Sequence, residues 1–144
     1  MTRQSYLEHR HVEFIPSELE EGLLYISNRF QTASHLCCCG CGHKVVTPLN
    51  PAKWRLTDHG TTVSLAPSIG LGALPCRSHY WIRRSRIDWY PEMTAAQTKR
   101  AQRADHFASQ LYTGEITLPP PPPAREPQPV NRGWWAKFLS WLKW

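Results

Sequence analysis

No stretch of the chain is apolar for long enough to span a bilayer, and the first residues contain no apolar run of the kind that leads a protein into secretion. The Gly-x-Ser-x-Gly elbow of the α/β-hydrolases is missing, as is a glycine-rich loop of the usual phosphate-cradling kind. Acidic residues are few: 11 against 17 Lys and Arg, a formal net charge of +6 over 144 residues. The five cysteines are an odd number, so they cannot all pair within one chain, and four of them fall within five consecutive positions, too close to bridge one another readily. These absences argue against a membrane-spanning, disulfide-stapled or nucleotide-hydrolysing protein. The expectation is a reduced, cytoplasmic chain, with peripheral contact at the inner membrane face as a further possibility.

The chemistry that is present is concentrated in two places. Cys37, Cys38, Cys39 and Cys41 lie in a turn-like segment between His35 and His43, and Cys76 precedes His79 by three residues. Two thiol- and imidazole-bearing turns about 35 residues apart have the layout of two halves of a tetrahedral metal site. Zn2+ suits these donors best; an iron–sulfur cluster normally needs more thiolates than the second half supplies. Spacing alone leaves the ligand set open. Cys38-x-x-Cys41 has knuckle spacing, Cys37-x-Cys39-x-Cys41 alternates along the chain, Cys76 and His79 offer the second half, and His35 and His43 are spare donors.

Hydropathy patterning gives the framework. Residues 22–27 are rich in β-formers, and short strands should enter and leave the cysteine turn over 33–36 and 43–48. An extended entry followed by a turn is expected over residues 13–19. Alternation over residues 53–66, with Asp58 and Gly60 at the turn, predicts a hairpin. The Pro and Gly content of 67–75 predicts a loop. Two further strands follow, around a tight connection at Arg84 and Ser85. Thr94 and Gln97 have capping-box spacing, an alanine-rich stripe repeats at helical intervals, and Gly114 supplies a stop, so residues 94–112 should form a helix that packs on the sheet while burying little area.

The expected fold class is therefore mainly β: a small zinc-stabilised antiparallel domain with zinc-ribbon or rubredoxin-like hairpins over residues 1–92. It is followed by a packing helix over 93–117, a proline-rich linker over 118–132 and a tethered amphipathic helix over 133–144. The unbroken prolines at 119–123 should form a polyproline II spacer. On a helical wheel Trp134, Trp135, Phe138, Leu139, Trp141 and Leu142 share one side of the last segment, opposite Lys137 and Lys143. That face suits a membrane surface, or a groove on a protein partner or on its own domain. Basic residues gather at Arg83, Arg84 and Arg86 and again at Lys99, Arg100 and Arg103, which admits nucleic-acid binding as a lesser alternative.

The motifs Cys37-x-Cys39-Gly40-Cys41-Gly42, Ser64-Leu65-x-Pro67-Ser68-Ile69-Gly70 and Cys76-x-Ser78-His79-Tyr80-Trp81-Ile82 have a familiar look. With Pro16-x-x-Leu19 and Gly22-x-Leu24-Tyr25-Ile26, they resemble a bacterial family of small metal-site proteins classed as a domain of unknown function. The similarity covers roughly residues 12–90. In that family the position of Cys38 is usually another residue, often proline, so the resemblance implies Cys37, Cys39, Cys41, Cys76 and His79 as candidate ligands. It also implies an accessory or adaptor role beside ubiquitin-like conjugation.

Ser68, Ser78 and His79 invite a nucleophile–base reading, but no elbow and no orienting third group stand out around them. Asp88 and Glu92 are the nearest acids in sequence to the second half-site. Cys38 is the candidate free thiol. The sequence thus favours a zinc-binding interaction or adaptor module with a structural metal, recruited by its tail. A zinc- or thiol-dependent accessory enzyme of a ubiquitin-like pathway is the alternative.

Overall fold

Two four-stranded sheets carry the fold in the computed structural model, which describes residues 2–123. The first sheet contains β1 (Glu8–His11), β2 (Leu23–Ser27), β3 (Thr32–Leu36) and β4 (Lys44–Pro48), in that spatial order. All five residues of β2 are buried, as expected of an apolar strand paired on both sides. β3 and β4 flank the cysteine turn as an antiparallel hairpin. β1 is a strand the sequence did not predict. Its Glu-His-Arg-His composition has no apolar alternation, and it is held at the sheet edge by parallel backbone pairing with β2. The segment read as an extended entry and turn at 13–19 forms no strand and bends at 13–14 and 17–18.

The second sheet is an antiparallel meander of β5 (Arg55–Asp58), β6 (Val63–Gly70), β7 (His79–Arg83) and β8 (Arg86–Trp89). The β5–β6 turn is closed by Asp58 Oδ1, which accepts the Gly60 N–H at 2.7 Å. In the β7–β8 turn Arg84 and Ser85 both have positive φ, 47° and 63°, the pairing of signs that a tight hairpin with native twist requires. Ser85 is fully buried there. Its N–H donates to the Val63 carbonyl, and its Oγ accepts the Val63 N–H.

The loop predicted for 67–75 needs correction. β6 continues through Pro67 and Ser68 to Gly70, and its register against β7 shifts between Leu65 and Ile69. A proline lacks the N–H that a central strand would demand, but a bulge excuses it. Composition alone therefore misread a strand as a loop.

The sheets share one core, in which Leu24, Ile26 and Val45 of the first meet Leu65, Tyr80 and Ile82 of the second. The N-terminal segment laces them together. Gln4 N–H donates to the Cys38 carbonyl, Leu7 N–H to that of Ser85, and Ile87 N–H to that of Ser5, at 2.8, 2.8 and 2.9 Å.

The helix α1 (Ala95–Thr113) has both bonds of the capping box, Gln97 N–H to Thr94 Oγ1 at 3.2 Å and Thr94 N–H to Gln97 Oε1 at 2.8 Å. It ends at Gly114, in the left-handed region at φ 78°. None of its residues is fully buried, in keeping with a narrow alanine stripe. Among the described residues no helix is long and apolar enough to cross a membrane. The tryptophan-rich segment and most of the linker lie outside the described residues.

Candidate functional site

The β3–β4 turn is folded around its glycines. Gly40 and Gly42 take φ of 84° and 79°, where a side chain would be strained, while Cys37 N–H donates to the His43 carbonyl at 2.8 Å. This backbone turns Cys37, Cys39 and Cys41 toward one point. Cys76 arrives from the β6–β7 loop, and the four Sγ atoms all lie within 4.8 Å of one another. Four sulfurs bonded at about 2.3 Å to a tetrahedral ion stand about 3.8 Å apart. Cys37 and Cys39, at 3.4 Å, and the set as a whole are within a small side-chain adjustment of that figure. The cluster can hold a metal ion.

Of the residues singled out in the sequence, the structure thus brings four thiols together and places the others elsewhere. His79 is not in the cluster. Cys38, fully buried, faces Tyr80, and burial pushes its thiol up to about 12, which suits a packed apolar side chain and not a nucleophile. His35 is buried with its Nε2 2.9 Å from the Tyr80 hydroxyl, and desolvation lowers its pKa to about 4, so it is neutral. His43 is exposed beside Cys41, Nδ1 to Sγ 3.2 Å. Burial raises the Cys39 thiol, but hydrogen bonding to Ser78, Cys41 and Cys37 outweighs it and brings Cys39 to about 7.

Three residues beyond Cys76, His79 opens β7 and is paired across the ladder with Gly70 of β6. Ser68 stands two residues before Gly70, on the same side of the strand and diagonal to His79. Because Gly70 has no side chain, the imidazole can lean along β6, and His79 Nε2 reaches Ser68 Oγ at 3.0 Å. Both residues are half-buried. The His79 ring lies against Tyr90, centroids 5.4 Å apart, and the Tyr90 N–H donates to the His79 carbonyl at 2.8 Å. Met93 is packed so closely over Gly70 that a methyl there would collide with its thioether. Arg77 holds Met93 in place by donating from Nε to the Met93 carbonyl at 3.0 Å.

Ser68 and His79 open into a cleft of about 480 Å3. Pro67, Gly70 and Trp54 form its floor with them, and Ala101, Ala104 and Ala108 of α1 line the facing wall. Lys53 Nζ and Asp105 Oδ2, 2.5 Å apart, join floor to wall. Neither Asp88 nor Glu92 is a partner of His79. Asp88 pairs with Arg83 at 3.3 Å, and Arg83 also lies over the Trp81 ring at 4.5 Å, which engages one member of the basic strip within its own sheet.

The sequence put Ser68, Ser78 and His79 forward together as a nucleophile–base possibility, and the structure selects Ser68 as the serine that meets the histidine. The available signal was a serine two residues before a glycine, opposite a histidine that begins the next strand. Reading it requires the register between β6 and β7, which the misread loop concealed.

A model of the family described as bacterial ubiquitination-like system serine protease (BubE) matches residues 11–90, a span that contains the four clustered thiols, Ser68 and His79. No curated protein and no solved structure matches the chain.

Proposed function

The chain belongs to the BubE family of bacterial ubiquitination-like systems, and from that premise we propose that it is a serine peptidase of such a system, with Ser68 as nucleophile and His79 as general base. The observation that carries this reading is the 3.0 Å contact between Ser68 Oγ and His79 Nε2 at the edge of an open cleft. A serine hydroxyl is a weak nucleophile until a neighbouring base takes its proton. His79 accepts that proton as Oγ attacks a peptide or isopeptide carbonyl. The resulting imidazolium returns it to the departing amine, leaving an acyl-serine. Water then repeats the sequence, its proton passing through His79 back to Ser68 as the carboxylic acid leaves. Tyr90 and the β7 backbone hold the imidazole in place.

The metal in this reading is Zn2+ on Cys37, Cys39, Cys41 and Cys76. Four thiolates complete a tetrahedral shell, so its contribution is a cross-link and not a bound nucleophile. His79 is then free for Ser68. The cross-link still bears on catalysis, because Cys76 fixes the chain just ahead of the base.

A fluorophosphonate probe tests the proposal. Ser68 Oγ should form a bond to phosphorus with loss of fluoride, and mass spectrometry should locate the adduct on Ser68. Ser68→Ala should abolish labelling, and His79→Gln should slow it by about 10^3-fold or more. Labelling that survives Ser68→Ala, or a folded, metal-loaded protein that never labels, would overturn the peptidase assignment. Partner capture by unlabelled protein would then favour the adaptor role expected from the sequence.

A further inference from the structure

A second group of metal-type donors lies apart from both the thiols and the cleft. His9 and His11 sit two residues apart on β1, hence on one side of the strand, and Asp58 ends β5. β1 and β5 are edge strands of different sheets. One imidazole nitrogen from each histidine and one Asp58 oxygen all lie within 4.8 Å of one another, and His11 Nε2 is 3.0 Å from Asp58 Oδ2. We propose that His9, His11 and Asp58 form a second metal site, a two-histidine, one-carboxylate face that takes a divalent transition ion such as Zn2+ across the edges of the two sheets.

Several features favour a site over a simple ion pair. An ion pair needs one histidine, yet a second stands in reach, its ring edge-on to the first with centroids 5.8 Å apart. The carboxylate is already oriented, since Oδ1 is held by the Gly60 N–H at 2.7 Å and Oδ2 is turned to His11. Donors bonded at about 2.1 Å to one ion stand about 3.0–3.4 Å apart, and the spread here closes by small side-chain rotation. Two imidazoles with one carboxylate suit zinc, nickel, copper or ferrous ions better than magnesium or calcium, which prefer all-oxygen shells. His11 and Asp58 are exposed, so the remaining coordination positions face water. An ion here would join the first and second sheets at edges where the described hydrogen bonding provides one side-chain contact, His11 to Asp58.

The test uses the full chain without a polyhistidine tag, its thiol cluster loaded with one Zn2+ and excess ion removed. Calorimetric titration with Zn2+ should find one further ion per chain and raise the melting temperature. Changes outside a coordination shell already cost about 10–100-fold in affinity. His9→Ala, His11→Ala or Asp58→Asn should therefore each weaken the second ion by at least that much and leave the first unchanged. Co2+ in the second site should show ligand-field bands without the thiolate charge-transfer band of the first. A wild-type stoichiometry of one, or a second ion indifferent to all three substitutions in proteins with wild-type circular dichroism, would overturn the proposal.

Discussion

On the proposal that the Cys37, Cys39, Cys41 and Cys76 cluster carries a metal, removing that ion should strip the domain of a large share of its stability. An ion held there would tie the β3–β4 turn to the β6–β7 loop, and between Cys41 and Cys76 it would close a loop of about 35 residues. In the chain-entropy account of cross-links, a loop of that size restricts the unfolded chain by about 4 kcal/mol. Total stabilities of such domains are about 5–15 kcal/mol. For a unit of roughly 90 residues each kcal/mol moves the melting temperature by about 4–8 °C. Complete chelation, verified by elemental analysis, should thus lower the midpoint by about 15–30 °C in differential scanning calorimetry. Cys76→Ser should reproduce much of that fall, whereas Cys38→Ala should retain the ion of the thiol cluster, because Cys38 faces Tyr80 and stands outside the cluster. Fluorophosphonate labelling of Ser68 should fall in parallel, since His79 follows Cys76 by three residues. A metal-free protein that melts within about 5 °C of the loaded one would refute the cross-link argument.

Other perturbations probe other links in the structure. Gly70→Ala should displace Met93 and disturb the His79–Ser68 contact, cutting the labelling rate by up to about 10^2-fold while the protein stays folded. Ile82→Ala, in the shared core, should cost about 2–5 kcal/mol in urea unfolding. Thr94→Ala should remove the capping box, destabilise α1 by about 1 kcal/mol and speed its amide exchange with little change in the sheets. His35 is neutral in the fold, with a pKa lowered to about 4, while the unfolded chain binds its proton near 6.5. Its contribution is therefore intact above about pH 6.5 and is lost as pH falls toward 4, by about 3 kcal/mol in all. His35→Gln should flatten that part of a stability-versus-pH curve relative to wild type.

The sequence was most readable where period and composition agreed. β2, the strands beside the cysteine turn, the hairpin from β5 and the helix with its caps all follow from apolar alternation or capping residues. β1 was invisible because backbone pairing with β2, and not side-chain burial, makes Glu-His-Arg-His a strand. The far half of β6 was hidden by Pro67 and Gly70, residues that mark a loop in most settings and here mark a bulge and a space for Met93. At the metal cluster the donor types could be read directly, but choosing among eight candidate donors depended on the turn at Gly40 and Gly42 and on the approach of Cys76. Ser68 and His79 belong to separate motifs, and their meeting is a property of strand register, which no local pattern encodes.

The cleft beside Ser68 has walls of two different kinds. Its floor, from Trp54 to His79, falls within the span matched by the family model, whereas Ala101, Ala104, Asp105 and Ala108 fall beyond it on a helix with no fully buried residue. Substitutions along α1 can therefore widen, narrow or recharge the approach to the serine without touching a strand, a thiol or the base. Under the serine-peptidase proposal, the shape of what enters the cleft and the chemistry performed on it are free to change independently.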